Sequence, residues 1–497
     1  MAASARFERP EGIARNTAFS FGVQLATSVF TAALTLYLVR AVGPHGYGLF
    51  ALALAVTGLV SIPADLGITG STGRFVAEAR TDRAEAARVV ADALVLKAVA
   101  SAATSLALFA TAGWIADGYG EPGLVWPLRG VAVALFGHSV MSLVRGVFVA
   151  LGRISVNLRL VLSESAIETA ASVGLVLLGA GATGAAFGRA IGYGFGAAFG
   201  VTLVALTLGS RALAFREFRW ARARRIASYA GVLALVDGAW YAFGQVDALV
   251  IGAFLGAGSV GIYAAPLRFV VFLGYPGLAV ANAVAPRLAR SGEEQLAPAA
   301  FVSAIRYLIV AQAIFVPPLV VWAGPIAAFL LGPGYEDAAD VLRGLSPFVF
   351  VSGVAPLLAI TANYLGEARR RISIAFAMLA LDLALAVILV REIGVVGAAI
   401  ATSAAFTLYV AGHLWLCRRL IGMPLRPIFV TVGRTLVAAT AMGGVLAVAG
   451  TSDLSIAAWI FGGLGGTAAF VGVLVVTREL KRSDFVAVRA ALSRVRS

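Results

Sequence analysis

Apolar residues along this chain gather in runs of about 18 or more, which recur over its whole length between short polar segments. Each run can cross about 30 Å of hydrocarbon as a single helix. The runs predict an all-α polytopic membrane protein with about fourteen transmembrane helices. Their approximate spans are 17–39, 48–70, 93–116, 128–151, 160–180, 186–209, 229–252, 262–285, 301–323, 340–364, 373–393, 398–417, 434–450 and 456–477. The first run follows Arg6, Arg9 and Arg15 and carries no small-residue cleavage site, so it reads as a helix and not as a removable signal.

Charge then orients the bundle. An even number of spans puts both termini on one side, and the segments on that side hold 30 of the 39 Lys and Arg residues. This is the positive-inside pattern, so both termini are expected in the cytoplasm, at a bacterial inner membrane. It also explains the net charge of +14 without nucleic acid, because the basic loops face anionic membrane lipids. Trp114, Trp126, Trp322 and Tyr335 lie near the opposite face, where an aromatic belt is expected.

Composition adds limits. The chain is 60% hydrophobic and 13% charged, with a mean hydropathy of +0.92, which no soluble protein of this length sustains. A single cysteine, Cys417, excludes a disulfide framework, and His45, His138 and His413 lie too far apart in sequence for a metal set. Neither a metal nor a cofactor is expected. The outer acids Asp117, Glu121, Glu336, Asp337 and Asp340 form no catalytic pair, and no Walker-type phosphate loop is present, so enzyme chemistry is not expected.

An internal repeat organises the spans. Gly43–Ala51 resembles Gly256–Ala264, Gly181–Ala186 resembles Gly394–Ala399, and Ile13-Ala14 resembles Ile226-Ala227, all at an offset of 213. Leu151-Gly152 and Leu365-Gly366 match at 214. A repeat of six spans gives two lobes of like orientation, related by an axis along the membrane normal. The expected parts are a cytoplasmic N-terminus (1–14), an N-lobe (15–209), a basic linker (210–228) and a C-lobe (229–420). Two further helices (434–477) and a basic tail (478–497), amphipathic from Ser483, complete the chain. Two such lobes can rock about a central cavity in alternating access.

These residues carry a resemblance. Gly43-Pro44, Tyr47-Gly48-Leu49-Phe50, Asp65-Leu66-Gly67 and Arg74 follow the first hairpin of the polysaccharide-biosynthesis flippases. Segments 246–269, 330–343 and 394–403 fit the second lobe of the same proteins. The chain over about 13–420 thus resembles the O-antigen (Wzx-like) branch of the multidrug/oligosaccharidyl-lipid/polysaccharide (MOP) exporter superfamily. The resemblance implies that superfamily's fold and a lipid-linked oligosaccharide or polysaccharide precursor as substrate. H⁺ or Na⁺ as coupling ion and a glycan polymerase are the further partners such a role would call on. A drug/cation antiporter and a lipid II flippase are the alternatives within the same fold.

Ionisable groups inside a membrane are costly and are functional candidates by default. Arg145 and the i,i+4 acids Glu164 and Glu168 form either a self-neutralising pair between neighbouring helices or a phosphate contact with a titrating acid. Arg268 either pairs with Asp247 or grips phosphate, for which a guanidinium is suited. Arg189 is a further phosphate contact or a snorkelling side chain, and Lys97 and Arg306 are expected to snorkel. Asp382 matches Glu168 at the 214 offset and has no evident basic neighbour in adjacent spans, so Asp382, Glu168 and Asp237 are the coupling-ion candidates. Asp65 is expected to pair with Arg74, and His138 to be a hydrogen-bonded core group.

Overall fold

The computed structural model of the chain describes residues 13–214, 218–288, 298–365, 367 and 369–480. Every regular element among them is helical, and eleven stretches are long and apolar enough to cross a membrane. Three of the eleven contain a glycine break, at Gly43, Gly179 and Gly256, and each includes most or part of two expected spans. The amphipathic helix expected from Ser483 lies outside the described residues.

The chain divides into two compact units between Ala265 and Pro266. The first holds α1 (Ile13–Asp65), α2 (Ile68–Glu78), α3 (Arg83–Gly118), α4 (Val125–Ala150), α5 (Ile154–Leu175), α6 (Gly181–Leu208) and most of α7 (Trp220–Phe272). α1 and α7 are each 53 residues long and kink at Gly43 (φ 67°, ψ 179°) and Gly256 (φ 78°, ψ 177°). Side-chain-bearing residues avoid that conformation, so a glycine stands at both places. The two kinks fall at the 213 offset, and the repeated sequence therefore builds a repeated backbone.

These turns also touch. A Cβ on Gly48 would lie 1.7 Å from the Ala257 carbonyl oxygen, and one on Gly261 would lie 2.0 Å from that of Pro44. Adding 213 to 44 and 48 gives 257 and 261, so the contact is reciprocal, as across a twofold axis. α7 then runs beside α1: Gly252 fits against Leu52, and Gln245 against Gly58. Its start is tied to α3, where buried Asp92 accepts from Arg222 Nε (2.5 Å) and from the Arg219 N–H (3.3 Å). The helix expected to open the C-lobe is therefore part of the first unit.

Along α6, glycines at 184, 188, 192, 196 and 200 recur every fourth residue and so form one ridge. A Cβ at Gly188 would fall 2.4 Å from Ser172 Cα, and one at Gly192 would fall 2.5 Å from Glu168 Cβ. Small residues let helix backbones approach closely where no water drives association. The ridge thus presses the acid-bearing face of α5 against α6.

The second unit contains α8 (Tyr275–Leu288), α9 (Pro298–Ala313), α10 (Val316–Val321), α11 (Ala323–Leu331), α12 (Ala338–Ser352) and α13 (Ala355–Tyr364). α14 (Arg370–Ile393), α15 (Val395–Ile421), α16 (Arg426–Ala449) and α17 (Ile456–Val476) follow. The last two pack on each other, and α16 also packs on α9 and α10. Trp114 and Trp126 are exposed, as a belt requires, but Trp322 and Tyr335 are buried. The Trp322 indole donates to the carbonyls of Gly450 (2.9 Å) and Leu446 (3.2 Å), so it anchors α16 instead of facing headgroups.

Candidate functional site: a charged cluster in the first unit

The N-terminal hairpin ends in a helix break. α1 stops at Asp65, Leu66 (φ 46°) and Gly67 (φ 74°) take left-handed conformations, and α2 restarts at Ile68. Asp65 caps the restart, accepting from Thr69 Oγ1 (2.6 Å) and the Gly67 N–H (3.2 Å). Its charge is met by Lys97 of α3 and not by Arg74, which bonds Glu78 (2.9 Å). Lys97 is 1% exposed, so it does not snorkel. A break inside a membrane helix frees backbone groups, and buried polar side chains are what satisfy them.

Deeper in the unit, Arg189 of α6 donates from Nη1 to Glu168 (2.8 Å) and from Nη2 to the Tyr193 hydroxyl (2.7 Å). Arg189 is therefore the partner of Glu168, in place of Arg145. The reason is the glycine ridge, which brings α5 against α6. Glu164, 4% exposed, receives the Ser165 hydroxyl at one carboxyl oxygen (3.1 Å). Its other oxygen is buried and finds no hydrogen-bond partner among the described residues. Two carboxyl groups thus share one close guanidinium. Arg145 of α4 instead donates from Nε to Asn157 Oδ1 (3.2 Å), a neutral partner.

His138 joins these groups. Its ring meets that of Tyr193 at 4.9 Å, tilted by 58°, and Arg189, Lys97, Arg145 and Asp65 all act on it electrostatically. It is exposed by surface area. The first unit thus gathers acids and bases of both signs around one polar wall inside an otherwise apolar bundle.

The remaining candidates scatter. Asp247 accepts from the Tyr263 hydroxyl (2.6 Å), while Arg268 is exposed. Asp382 is fully buried on α14. The side chain of Asp237 lies outside the described residues. Arg306 does not snorkel: it bonds Glu479 (2.6 Å), which also takes Arg434 (2.9 Å) and Thr431 (2.6 Å). Burial opposes the charge on Glu479, yet these hydrogen bonds hold its carboxyl below the usual glutamate range. Tyr193 and Asn157 were absent from the sequence candidates, because neither carries charge.

The described residues thus form an all-helical bundle with broken helices, a duplicated hairpin and charged side chains inside the first unit, the MOP exporter fold. Comparison with solved structures gives the same fold. A lipid II flippase, MurJ, in its inward closed conformation superposes with a TM-score of 0.74 at 12% identity, over 93% of this chain and 99% of that one. An inward-facing MATE family multidrug transporter of the MOP superfamily superposes at 0.62 with 16% identity, over 79% and 94%.

Residues 13–291 match the family described as "Polysaccharide biosynthesis protein", and the chain belongs to it. Two curated relatives come from Haloferax volcanii. One, a probable low-salt glycan biosynthesis flippase, Agl15, is 24% identical over 82% of this chain and 84% of its own length. The other, a probable flippase, AglR, is 25% identical over 80% and 81%.

Proposed function

We propose that this protein is a flippase that carries a lipid-linked oligosaccharide or polysaccharide precursor across the cytoplasmic membrane by alternating access. The observation that carries this reading is the cluster of charged side chains within a polysaccharide-biosynthesis family bundle, since apolar helices have no packing need for so many ions. Both relatives bear flippase names, and that of Agl15 mentions glycan biosynthesis, which supports the substrate class. In this reading the termini and basic loops are cytoplasmic, and the lipid tail stays in the bilayer while the headgroup crosses.

Arg145, Arg268 and Arg189 contact pyrophosphate or acidic sugar. Arg145 has the clearest case, because its hydrogen-bond partner is neutral and its charge remains available. Coupling by H⁺ or Na⁺ falls to Glu168 with Glu164, to Asp382 and to Asp237. Moving one charge through 100 mV supplies about 2.3 kcal/mol, enough to bias such a cycle. A glycan polymerase receives the product on the far side.

The test uses purified protein in liposomes with a fluorescent polyprenyl-pyrophosphate oligosaccharide. Wild type is expected to expose the glycan to an external lectin under an imposed potential, and Arg145→Ala to slow this at least about tenfold. No exposure by wild type overturns the reading. The lipid II flippase reading draws on the MurJ likeness, which covers 93% of the chain. Conditional lethality on gene loss would favour it, and loss of surface glycan alone would exclude it.

A further inference from the structure

We propose that Arg371, at the start of α14 in the second unit, is a phosphate-binding residue for the lipid-linked substrate, the counterpart of Arg145 in the first unit. This rests on the flippase reading above.

Arg371 is held by three acceptors, all neutral. Nη1 donates to Asn363 Oδ1 of α13 (2.6 Å), Nε to His413 Nε2 of α15 (3.3 Å), and Nη2 to the Tyr409 hydroxyl (3.4 Å). The tautomer of His413 follows from its other contact. Nδ1 lies 2.9 Å from the Tyr409 carbonyl oxygen, which can only accept, so Nδ1 carries the hydrogen and Nε2 offers its lone pair to Arg371. The imidazole is therefore a neutral prop. Among the described residues no carboxylate reaches Arg371. Its neighbour Arg370 is paired with Glu367 (3.1 Å), and Lys97, Arg189, Arg222, Arg306 and Arg434 each have an acid.

Three of the five guanidinium N–H groups are thus engaged, and one remains on each terminal nitrogen. Free donors on both terminal nitrogens let the guanidinium bind phosphoryl oxygens while its other hydrogens hold it in place. Holding a cation in place without neutralising it leaves its charge for a ligand. Arg371 is half-buried, with an exposed bond to Asn363, so the guanidinium is both ordered and reachable.

The internal repeat supplies an independent argument. Subtracting 214 from 371 gives Asn157, the residue that holds Arg145. Subtracting it from 363 gives position 149, one helical turn from Arg145 on α4. Each lobe therefore bridges its fourth and fifth spans with an Arg–Asn hydrogen bond at the basic-loop end. The arginine stands on the fourth span in one lobe and on the fifth in the other. Chance would not readily leave both arginines with a neutral amide as partner in a chain that pairs most of its other buried bases with acids.

The shared ligand chemistry is a phosphoanion, which the substrate pyrophosphate or an ordinary phospholipid headgroup could provide. Binding of undecaprenyl pyrophosphate and of phosphatidylglycerol to the purified full chain in detergent, read by native mass spectrometry, separates them. Arg371→Ala is expected to lose at least about tenfold in affinity for undecaprenyl pyrophosphate and to keep its affinity for phosphatidylglycerol. Arg371→Lys, which keeps the charge and loses the guanidinium, falls between. Arg370→Ala binds like wild type. Equal loss for both lipids overturns the substrate assignment, and unchanged pyrophosphate binding by a monodisperse Arg371→Ala protein overturns the site. If wild type itself fails to bind undecaprenyl pyrophosphate, the flippase reading fails instead. A variant that aggregates is replaced by Asn363→Ala and His413→Gln. These are expected to weaken pyrophosphate binding severalfold, and full affinity in both overturns the proposal.

Discussion

The two units meet the same structural problem and solve it with different chemistry. In each, the second span of the lobe breaks at a Leu-Gly pair: Leu66-Gly67 in the first and Leu273-Gly274 in the second. A fully buried side chain on the following span reaches back to each break. In the first unit it is Lys97, which binds Asp65, and in the second it is Gln312, which donates to the Leu273 carbonyl (2.8 Å). Lys97 and Gln312 are 215 residues apart, so they occupy matching places in the repeat. Both are 1% exposed. A broken helix in hydrocarbon needs a polar partner but not a charged one. The first unit uses ions where the second makes do with an amide, and the charged cluster lies in the unit that uses ions.

Substitution at these two positions separates the roles most sharply. Lys97→Ala leaves the Asp65 charge without its cation and is expected to destabilise the protein by about 3 kcal/mol. Adding Asp65→Asn should recover much of that loss, as read by thermal unfolding in detergent. If Lys97→Ala unfolds like wild type, the ionic account of the first unit fails. Next in size is Gly192→Ala, whose new methyl meets Glu168 on a tightly apposed helix, at a cost of about 2 kcal/mol. The same change at Gly194, which has open space around its Cβ position, should be neutral. Gln312→Ala should cost only about 1 kcal/mol, because a neutral hydrogen bond is lost and no charge is stranded.

The smallest effect concerns the ionic cluster of the second unit, which lies beyond the end of α17. Glu479 has a carboxyl held below its ordinary value. Its contribution is therefore complete above the usual glutamate pKa and is lost as pH falls through the lowered value. Glu479→Gln should lower the melting temperature by under about 1 °C at pH 7 and make stability less dependent on pH in the acid range. A mutant that keeps the full acid dependence would place that dependence elsewhere, in the charged cluster of the first unit.

Much of this was legible in sequence. The fourteen runs follow from hydrocarbon thickness. The repeat could be read because Gly43 and Gly256 need a left-handed backbone that other residues resist, so the requirement leaves a mark at a fixed offset. The period-four glycines of α6 were equally visible and would have indicated which helix α5 presses against. The ion pairs were not legible. Arg145 and Arg189 lie on the spans either side of Glu168, and helix spacing alone favours neither. Asp65 turned away from Arg74 because two left-handed residues redirect the chain between them. Trp322 looked like a belt residue and became an anchor, since α16 covers it.

Sequence by itself determined the all-helical membrane class and the glycine turns that recur at one offset, because each follows from local hydrophobicity or backbone sterics. Tertiary structure decided which base meets which acid and which arginine is held by a neutral partner. Those choices depend on how far two helices approach and how each is turned about its axis, and a glycine ridge or a broken helix shifts both by more than the length of a hydrogen bond.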